Sequence, residues 1–249
     1  MKRIRIIPVL LLMKEGLYKT VKFSNPSYVG DPINAVKIFN EKEADELIIL
    51  DISASKEKRG PNFSKLAEIA GEAFMPMGYG GGIKSFDEAQ KVFDAGFEKV
   101  IINTAVVENP KLIREIAKVY GAQSVVVSID AKLNWRGNYE VYTDCGNRRV
   151  ALSPEEASEN AEANGAGEIF INAIHKDGTW SGYDLKLIQK VSGAVNIPVV
   201  ACGGASSMMD FKLAITEGGA SAVAAGSMFV YQKKAMGVLI SFPSDTLCV

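Results

Sequence analysis

Two glycine-rich turns in this chain have the composition of sites where backbone N–H groups bind an anion. The stretches 74–83 and 196–205 are each a short apolar run followed by glycines and a polar helix start. Gly82 and Gly204 occupy matching positions, 122 residues apart. This pattern is typical of a buried strand whose C-terminal turn allows a ligand to approach the backbone closely.

Further matched segments extend the repeat. Residues 98–104 match 221–227, and residues 44–50 match 166–172. Together with the glycine turns they predict two phosphate cradles made of backbone N–H groups and helix starts, one in each half of the chain. The cradles would consist of Gly81, Gly82, Asn103 and Thr104 in the first half, and of Gly203, Gly204, Gly226 and Ser227 in the second. The alternative is that the glycines only make tight turns.

Asp130 ends a predicted strand, which makes it a candidate acid or base. The alternatives are a helix cap or an ion pair with Lys132. When residues 125–130 are aligned with 6–11, Leu11 falls where the repeat would place a second carboxylate, and a leucine cannot transfer protons. Asp51 and Asp177 are the other carboxylates expected near this site.

These groups must be positioned by eight strands that alternate with helices, an order that requires a parallel sheet. Two equal blocks of four βα units favour a single α/β domain over 1–249, a (β/α)8 TIM barrel with half-barrels at about 1–122 and 123–249. In such a barrel the functional groups lie where strands end. The segments 13–30 and 131–152 are long excursions from the barrel. The first is predicted as a mobile loop or small hairpin, and the second is predicted as a hairpin. Capping boxes are predicted at Ser85 and Ser153, and a short last helix from Tyr231.

Four charged residues lie at the opposite ends of the strands. They are near the starts of predicted strands one, two, four and six, and their side chains would point to the barrel bottom as a ring of alternating charge: Arg5, Glu46, Lys99 and Glu168. The alternative is that they serve only solvation or stability of the bottom face.

Composition limits the function classes. The formal net charge is −1 and there is no basic stripe, so neither nucleic acid nor a membrane surface is expected as a partner. No apolar run is long enough to span a bilayer, and no signal-peptide pattern is recognised. Three separated cysteines and the single His175 predict reduced thiols, no metal site and no cofactor in a cytoplasmic protein.

The motifs taken together resemble the cyclase subunit of imidazole glycerol phosphate synthase (HisF-like) over nearly the whole chain. They are RIIP at 5–8, GDP at 30–32, ADEL at 44–47, LDI at 50–52, GGGI at 80–83, INTA at 102–105, IDAK at 129–132, GAGE at 165–168, DGT at 177–179 and GYD at 182–184. The resemblance implies a (β/α)8 barrel that binds a phosphorylated small molecule. It also implies a glutaminase (HisH-like) partner at the barrel bottom, which sends ammonia through the core to a lyase reaction of histidine biosynthesis.

By the same resemblance, Asp130 matches one of two catalytic aspartates, and Arg5, Glu46, Lys99 and Glu168 match a complete ammonia gate. Lys19 matches a lysine that covers the active site. Gly82, Asn103, Thr104, Asp177 and Gly204 match substrate and phosphate contacts. The further candidates for phosphate or substrate binding are Asp51, Gly81, Gly178, Gly203, Gly226 and Ser227. Leu11 departs from the pattern because it replaces the second catalytic aspartate, and His175 stands where an aspartate is usual.

The variant segments at 5–12, 19–23, 30–40 and 238–241 resemble a paralogous branch, the glycosyl amidation-associated proteins of surface-polysaccharide clusters. That resemblance implies that ammonia passes to a separate ATP-dependent N-acetyl sugar amidotransferase. Three hypotheses follow from these resemblances and from the departure at Leu11. The first is an ammonia-conducting subunit for sugar amidation without efficient cyclase chemistry. The second is an active cyclase, with Asp51 or Asp177 sharing the proton transfer, and the third is a non-catalytic scaffold.

Overall fold

The computed structural model describes residues 3–234, 236–243, 247 and 248. Its strands are β1 (Arg5–Met13), β2 (Gly16–Val21), β3 (Ser24–Gly30), β4 (Leu47–Asp51), β5 (Met77–Gly80), β6 (Lys99–Ile102), β7 (Val125–Leu133), β8 (Tyr139–Thr143), β9 (Arg148–Val150), β10 (Glu168–Ala173), β11 (Val199–Cys202) and β12 (Ala222–Ala225). Its α-helices are α1 (Pro32–Glu41), α2 (Phe63–Ala70), α3 (Phe86–Asp94), α4 (Thr104–Glu108), α5 (Lys111–Tyr120), α6 (Pro154–Ala163), α7 (Leu185–Ala194), α8 (Met208–Thr216) and α9 (Ser227–Val230).

Eight of the strands form a closed parallel barrel in the order β1-β4-β5-β6-β7-β10-β11-β12, and β12 pairs with β1 to complete the circle. The first and last strands are joined by the register Arg5↔Ala222 to Pro8↔Ala225. The predicted (β/α)8 TIM barrel is therefore confirmed. All eight strands end at the same side of the barrel, called the mouth here, and all begin at the other, called the bottom.

Helix starts follow the capping signals of the sequence. Asp31 caps α1 by accepting the Asn34 N–H at 2.9 Å, and Pro32 occupies the first turn, where its missing N–H costs nothing. Ser85 and Ser153 form the predicted capping boxes of α3 and α6. The helix expected from Tyr231 is wrong: α9 ends at Val230, and Tyr231 forms an isolated bridge with Val238 instead. The short helix α4 was not predicted.

The barrel strands separate two apolar layers. Along β1, the side chains of Ile6, Leu10 and Leu12 pack against the surrounding helices, whereas Ile7, Val9 and Leu11 belong to a smaller cluster inside the barrel. This alternation follows from the period of two in a strand. The inner cluster consists of Ile7, Val9, Leu11, Ile48, Ile101, Val126, Phe170, Val200, Cys202, Ala222 and Ala224.

Two excursions rise above the mouth as antiparallel additions to the barrel. The predicted hairpin within 13–30 is β2 and β3, with Leu11↔Tyr18 as one register pair to β1. The predicted hairpin within 131–152 begins as a continuation of β7, so that Asp130 pairs with Tyr142 of β8, and β9 adds a third strand. None of the described helices is both long and apolar enough to cross a membrane.

Candidate functional site

A cavity of about 540 Å³ opens at the mouth, where the strands end. Its wall contains most of the site residues predicted from the sequence: Lys19, Asp51, Gly81, Gly82, Asn103, Thr104, Asp130, Asp177, Gly178, Gly203, Gly204, Gly226 and Ser227. Its floor reaches Val9, Leu50 and Ile101 inside the barrel. The four charged residues of the bottom are not part of this wall.

Asp130 lies at the end of the barrel section of β7, with its side chain directed into the cavity. Asn103 Nδ2 donates to Asp130 Oδ2 at 3.2 Å, and Ser128 Oγ donates to Oδ1 at 3.4 Å. Burial raises the pKa of the Asp130 carboxyl to about 7, and the negative charge of Asp177 acts in the same direction against the Ser128 hydrogen bond. A carboxyl with this pKa is suited to proton transfer near neutral pH. It neither caps a helix nor pairs with Lys132.

Asp51 differs from Asp130 because groups of the protein already provide hydrogen bonds to both of its carboxylate oxygens. Oδ1 accepts from the backbone N–H groups of Ser53 and Ala54, both at 3.0 Å, and from the Ser53 hydroxyl at 2.9 Å. Oδ2 accepts from Arg59 at 2.8 Å, and the Asp51 side chain is only 1% exposed. Asp51 therefore orders the loop after β4, and it is a weak candidate for sharing proton transfer with Asp130.

Asp177 connects the hairpin of β2 and β3 to the loop after β10. Thr20 Oγ1 donates to Asp177 Oδ2 at 3.2 Å, and the Lys22 N–H donates to the Asp177 carbonyl at 3.0 Å. A Cβ atom at Gly178 would lie 2.5 Å from the Thr20 carbonyl, so the two segments are in close contact. The hairpin thus covers one side of the mouth, and Asp177 is one of the residues that line the cavity.

The two glycine turns have the same packing role in each half-barrel. Gly82 has φ of 74° and lies under the loop carbonyl of Arg59, where a Cβ would come within 2.7 Å. Gly204 has φ of 107° and lies in the same way under the Gly182 carbonyl. Both positions therefore require glycine for backbone reasons that do not depend on a ligand. Close backbone packing is therefore sufficient to explain the repeated glycines, which is the alternative of tight turns raised from the sequence. Both turns also face the cavity.

Lys19 brings a positive charge to the second predicted phosphate cradle. The residue is only 6% exposed, and its Nζ lies directly against Gly226, where a Cβ would collide with it. Gly226 precedes Ser227 at the start of α9, and both line the cavity. A lysine ammonium beside glycine backbone is a suitable environment for a phosphate group.

The first predicted phosphate cradle is contacted at Thr104 by the excursion after β7. Thr104 Oγ1 accepts the Asp144 N–H at 3.1 Å and donates to Asn103 Oδ1 at 3.3 Å. Cys145 follows, and burial raises the pKa of its thiol to about 11. These contacts occupy the Thr104 hydroxyl, so an anion here would depend on backbone N–H groups and on nearby cations such as Arg148.

Leu11 occupies the apolar part of the cavity wall. It is 8% exposed and belongs to the inner cluster with Val9, while Leu50 and Ile52 pack against that cluster. It pairs in register with Leu50 of β4. No carboxylate of β1 therefore faces Asp130, and the Leu11 side chain itself cannot exchange a proton.

The four charged residues at the bottom form a closed ring of ion pairs. Arg5 contacts Glu46 at 2.5 Å and also contacts Glu168, while Lys99 Nζ lies 2.9 Å from both Glu46 Oε1 and Glu168 Oε2. The glutamate side chains are 4% and 7% exposed. Because positive and negative groups alternate around the ring, each carboxylate is held by two cations. The structure thus brings together the residues that the sequence placed at the starts of strands.

His175 lies outside the cavity. Its Nε2 is 2.9 Å from Asp184 Oδ2, and the Leu133 N–H donates to its Nδ1 at 3.4 Å. Tyr139 also donates to Asp184, at 2.7 Å. The pKa of Asp184 is lowered: burial opposes this, but hydrogen bonds from His175, Tyr139 and the Leu187 backbone outweigh it. His175 therefore links the excursion after β7 to the start of α7.

Several cavity residues were not predicted from the sequence, among them Asn172 and Cys202, neither of which belongs to a motif with a recognised chemistry. Asn172 and Cys202 are register partners on β10 and β11, and Asn172 is also the partner of Asp130 on β7. Burial raises the pKa of the Cys202 thiol to about 12, so it remains protonated at neutral pH. Across the described part of the chain, no group of three or more His, Cys, Asp or Glu side chains is arranged to hold a metal ion.

Comparisons with known proteins agree with this architecture. The family profile described as "Histidine biosynthesis protein" matches residues 5–235. A Pseudomonas aeruginosa protein, provisionally named subunit hisF2 of imidazole glycerol phosphate synthase, is 51% identical over 243 residues, 98% of this chain and 97% of that protein. A similarly named HisF protein of Leptospira interrogans is 46% identical over 241 residues, which cover 96% of this chain and 95% of its own.

A third relative is named as a HisF subunit without the provisional qualifier. It is the HisF subunit of imidazole glycerol phosphate synthase from Hydrogenobaculum sp., which is 40% identical over 238 residues, 96% of this chain and 94% of its own. The match extends over the whole barrel and includes both half-barrels with their glycine turns. This chain therefore belongs to the HisF-like family of imidazole glycerol phosphate synthase cyclase subunits.

Proposed function

We propose that this chain is a cytoplasmic barrel subunit of a glutamine amidotransferase complex. It receives ammonia from a glutaminase at the barrel bottom and passes it on for amidation of an N-acetyl sugar in surface-polysaccharide biosynthesis. A separate ATP-dependent sugar amidotransferase would consume the ammonia. The observation that carries the proposal is the combination of a complete ion ring at the bottom with Leu11 in the cavity at the mouth.

The interior between ring and cavity supports passage of a small neutral molecule. Along β1, Arg5 belongs to the ring, Ile7 lies in the inner cluster, and Val9 is already in the cavity floor. These four residue steps span about 13 Å at the usual rise of a strand. Neutral ammonia can cross one apolar layer of this kind, whereas ammonium would lose its hydration without compensation.

The residues at the mouth are better suited to binding a ligand than to efficient cyclisation. Asp130 remains as a proton-transfer group, but Leu11 provides none opposite it, and the Asp51 carboxylate is held by Arg59 and backbone N–H groups. One positioned acid or base contributes about 10² to 10⁴ in rate. A barrel that lacks one of two such groups is therefore expected to turn over the cyclase substrate slowly.

A second candidate function is an active cyclase of histidine biosynthesis. It is favoured by the Asp130 pKa of about 7 and by Lys19 beside Gly226 in the second predicted phosphate cradle. A non-catalytic scaffold is the third candidate. In that case the ion ring would serve only the stability of the barrel bottom.

The deciding experiment is a single-turnover cyclase assay with the ribulosyl-formimino substrate that HisF cyclases split with ammonia. Saturating ammonium at high pH is supplied, so that no glutaminase is needed. The Hydrogenobaculum HisF subunit provides the reference rate. We expect this chain to be at least about 100-fold slower, the lower end of what one acid or base contributes. Turnover at the reference rate would refute the proposal and establish the cyclase.

Ammonia transfer is tested separately in the complex with glutaminase and sugar amidotransferase. Lys99→Met opens the ring, and we expect it to change the amount of amidated sugar formed per glutamine hydrolysed. Product formation from added ammonium should be unchanged, because that route does not cross the ring. Equal coupling in Lys99→Met and in the wild type would favour the scaffold.

A further inference from the structure

The tip of the β7–β8 hairpin, residues 132–138, presents a tryptophan to solvent above the mouth. Trp135 is 87% exposed, and Leu133 beside it on the hairpin is 39% exposed. The Arg136 guanidinium stacks on the Trp135 ring, with its carbon atom 4.5 Å from the ring centroid. Exposure of an indole to water is unfavourable, and tryptophan and arginine are enriched where proteins bind each other. The hairpin tip therefore has the composition of a contact surface.

One asparagine holds the hairpin tip in a defined conformation. Asn134 Oδ1 accepts the N–H groups of Arg136 at 2.9 Å and of Asn138 at 3.0 Å. Asn134 Nδ2 donates to Glu140 Oε1 at 3.0 Å, and the Asn134 N–H donates to the Asn138 carbonyl at 2.8 Å. A turn that is ordered before binding loses little conformational entropy when a partner binds. Trp135 is thus presented in a preorganised position.

The hairpin tip also carries positive charge that the described part of the chain does not neutralise. Lys132 lies opposite Glu140 in the strand register, but the Glu140 carboxylate pairs with Arg149 at 3.3 Å instead. Neither Lys132 nor Arg136 forms an ion pair with any residue that the structure describes. The excursion 131–152 has four basic and two acidic residues, whereas the whole chain has 28 basic and 29 acidic residues. We therefore expect an acidic surface to meet the tip.

The position of the hairpin tip indicates which partner it would meet. Strand β7 is continuous from Asp130 in the cavity to Leu133 at the tip, and these three residue steps span about 10 Å. A protein bound at the tip would therefore cover the opening of the cavity. In the proposed function ammonia leaves the barrel at this opening, and it would be lost to water unless the enzyme that consumes it were bound there.

We propose that the hairpin tip is the docking surface for the ammonia-consuming sugar amidotransferase. That enzyme would meet the tip with an acidic surface and an apolar pocket for Trp135. The choice of partner rests on the proposed function, whereas the surface itself rests on the exposure, order and charge of the tip.

The alternatives are a membrane surface and a second copy of this chain. Anionic membranes bind clusters of about four to eight cations, whereas the tip has two cations that are unpaired within the described chain. A second copy docked tip to tip about a two-fold axis would bring Lys132 and Arg136 of both copies together. Like charges in contact oppose binding, so the observations favour the acidic partner protein.

Biolayer interferometry with the full chain and the purified sugar amidotransferase tests the inference. Trp135→Ala should weaken the Kd about 30-fold, as expected for an aromatic anchor in a pocket. Arg136→Glu should weaken the Kd about tenfold at low salt, and the loss should shrink at high salt. The control is Phe74→Ala, at an aromatic residue that is 91% exposed at the barrel bottom, and it should bind as the wild type does.

Four results would overturn the inference. The first is that the wild type does not bind the amidotransferase, and the second is that Trp135→Ala, folded by circular dichroism, binds with the wild-type Kd. The third is binding of the wild type, but not of Trp135→Ala, to phosphatidylglycerol vesicles while amidotransferase binding is unchanged. The fourth is a wild-type dimer in sedimentation that Trp135→Ala converts to a monomer.

Failure of this inference and failure of the proposed function are distinguishable. Unchanged amidotransferase binding by Trp135→Ala, together with a change of ammonia coupling in Lys99→Met, would exclude the hairpin tip and leave ammonia transfer in place. Weaker binding by Trp135→Ala together with fast cyclase turnover would keep the docking surface and remove the proposed function.

Discussion

Replacing Asp130 by asparagine should stabilise the protein at alkaline pH. Burial raises the pKa of Asp130 from 3.8 to about 7, so the folded protein binds this proton more tightly than the unfolded chain does. Stability from this group is therefore fully present below about pH 4 and is lost as pH rises to about 7. Above that range the folded state holds a poorly solvated carboxylate, which Asp130→Asn removes.

The size of the effect follows from the shift. A pKa difference of about 3 units corresponds to about 4 kcal/mol of unfolding free energy. This is an upper limit because the cavity admits water, and we expect a gain of about 2–4 kcal/mol at pH 8. Asparagine has nearly the same shape and can still accept the hydrogen bond from Asn103. The two proteins should differ little at pH 4.

Urea unfolding between pH 4 and pH 8 measures this difference directly. The control is Asp94→Asn, at an exposed carboxylate in α3, which should change the free energy of unfolding by no more than about 0.5 kcal/mol. A difference between Asp130→Asn and wild type that is independent of pH would refute the argument. So would a variant that is less stable than wild type at pH 8, because the carboxylate would then be better stabilised than its burial implies.

Two further predictions concern the ring and the glycine turns. Lys99→Met leaves Glu46 and Glu168 with one cation for two buried carboxylates, and should lower the free energy of unfolding by about 3 kcal/mol, whereas Lys37→Met at an exposed ion pair should cost less than about 1 kcal/mol. Equal melting temperatures for these two variants would show that the ring contributes no stability. Gly204→Ala should cost about 2 kcal/mol or more because of its positive φ and the Gly182 carbonyl. Gly193→Ala, in α7 with open space around the new Cβ, should stabilise by about 0.5–1 kcal/mol, and calorimetric melting that gives both the same sign would contradict this reasoning.

Much of the fold was readable from the sequence because its signals are local. The capping box at Ser85 involves Glu88, only three residues away, and the glycine turns end short apolar strands. The last helix was placed wrongly because Ser227–Val230 is a single turn without a side-chain cap, so it has no local signature. Likewise, α4 forms without a capping side chain at its start.

The sequence predicted which residues form the site, but not their hydrogen-bond partners or their pKa values. The sequence placed Asp51 and Asp130 at strand ends alike. Arg59 and the following backbone N–H groups satisfy Asp51, whereas Asp130 is buried with weaker partners, and its pKa rises to about 7. Nothing in the spacing of either residue indicates this difference, because it depends on which groups the loops bring near.

The sequence by itself determined the repeat of strands and helices, the glycines that the two turns require, and the residue types at each strand end. It also determined that Leu11 stands where the repeat would place a carboxylate. Only the tertiary structure closed Arg5 with Glu168, 163 residues apart, into one ring. Only the tertiary structure left Asn172 without a donor. Closure of the barrel is the physical reason, since it fixes distances and solvent access between strands that the chain leaves independent.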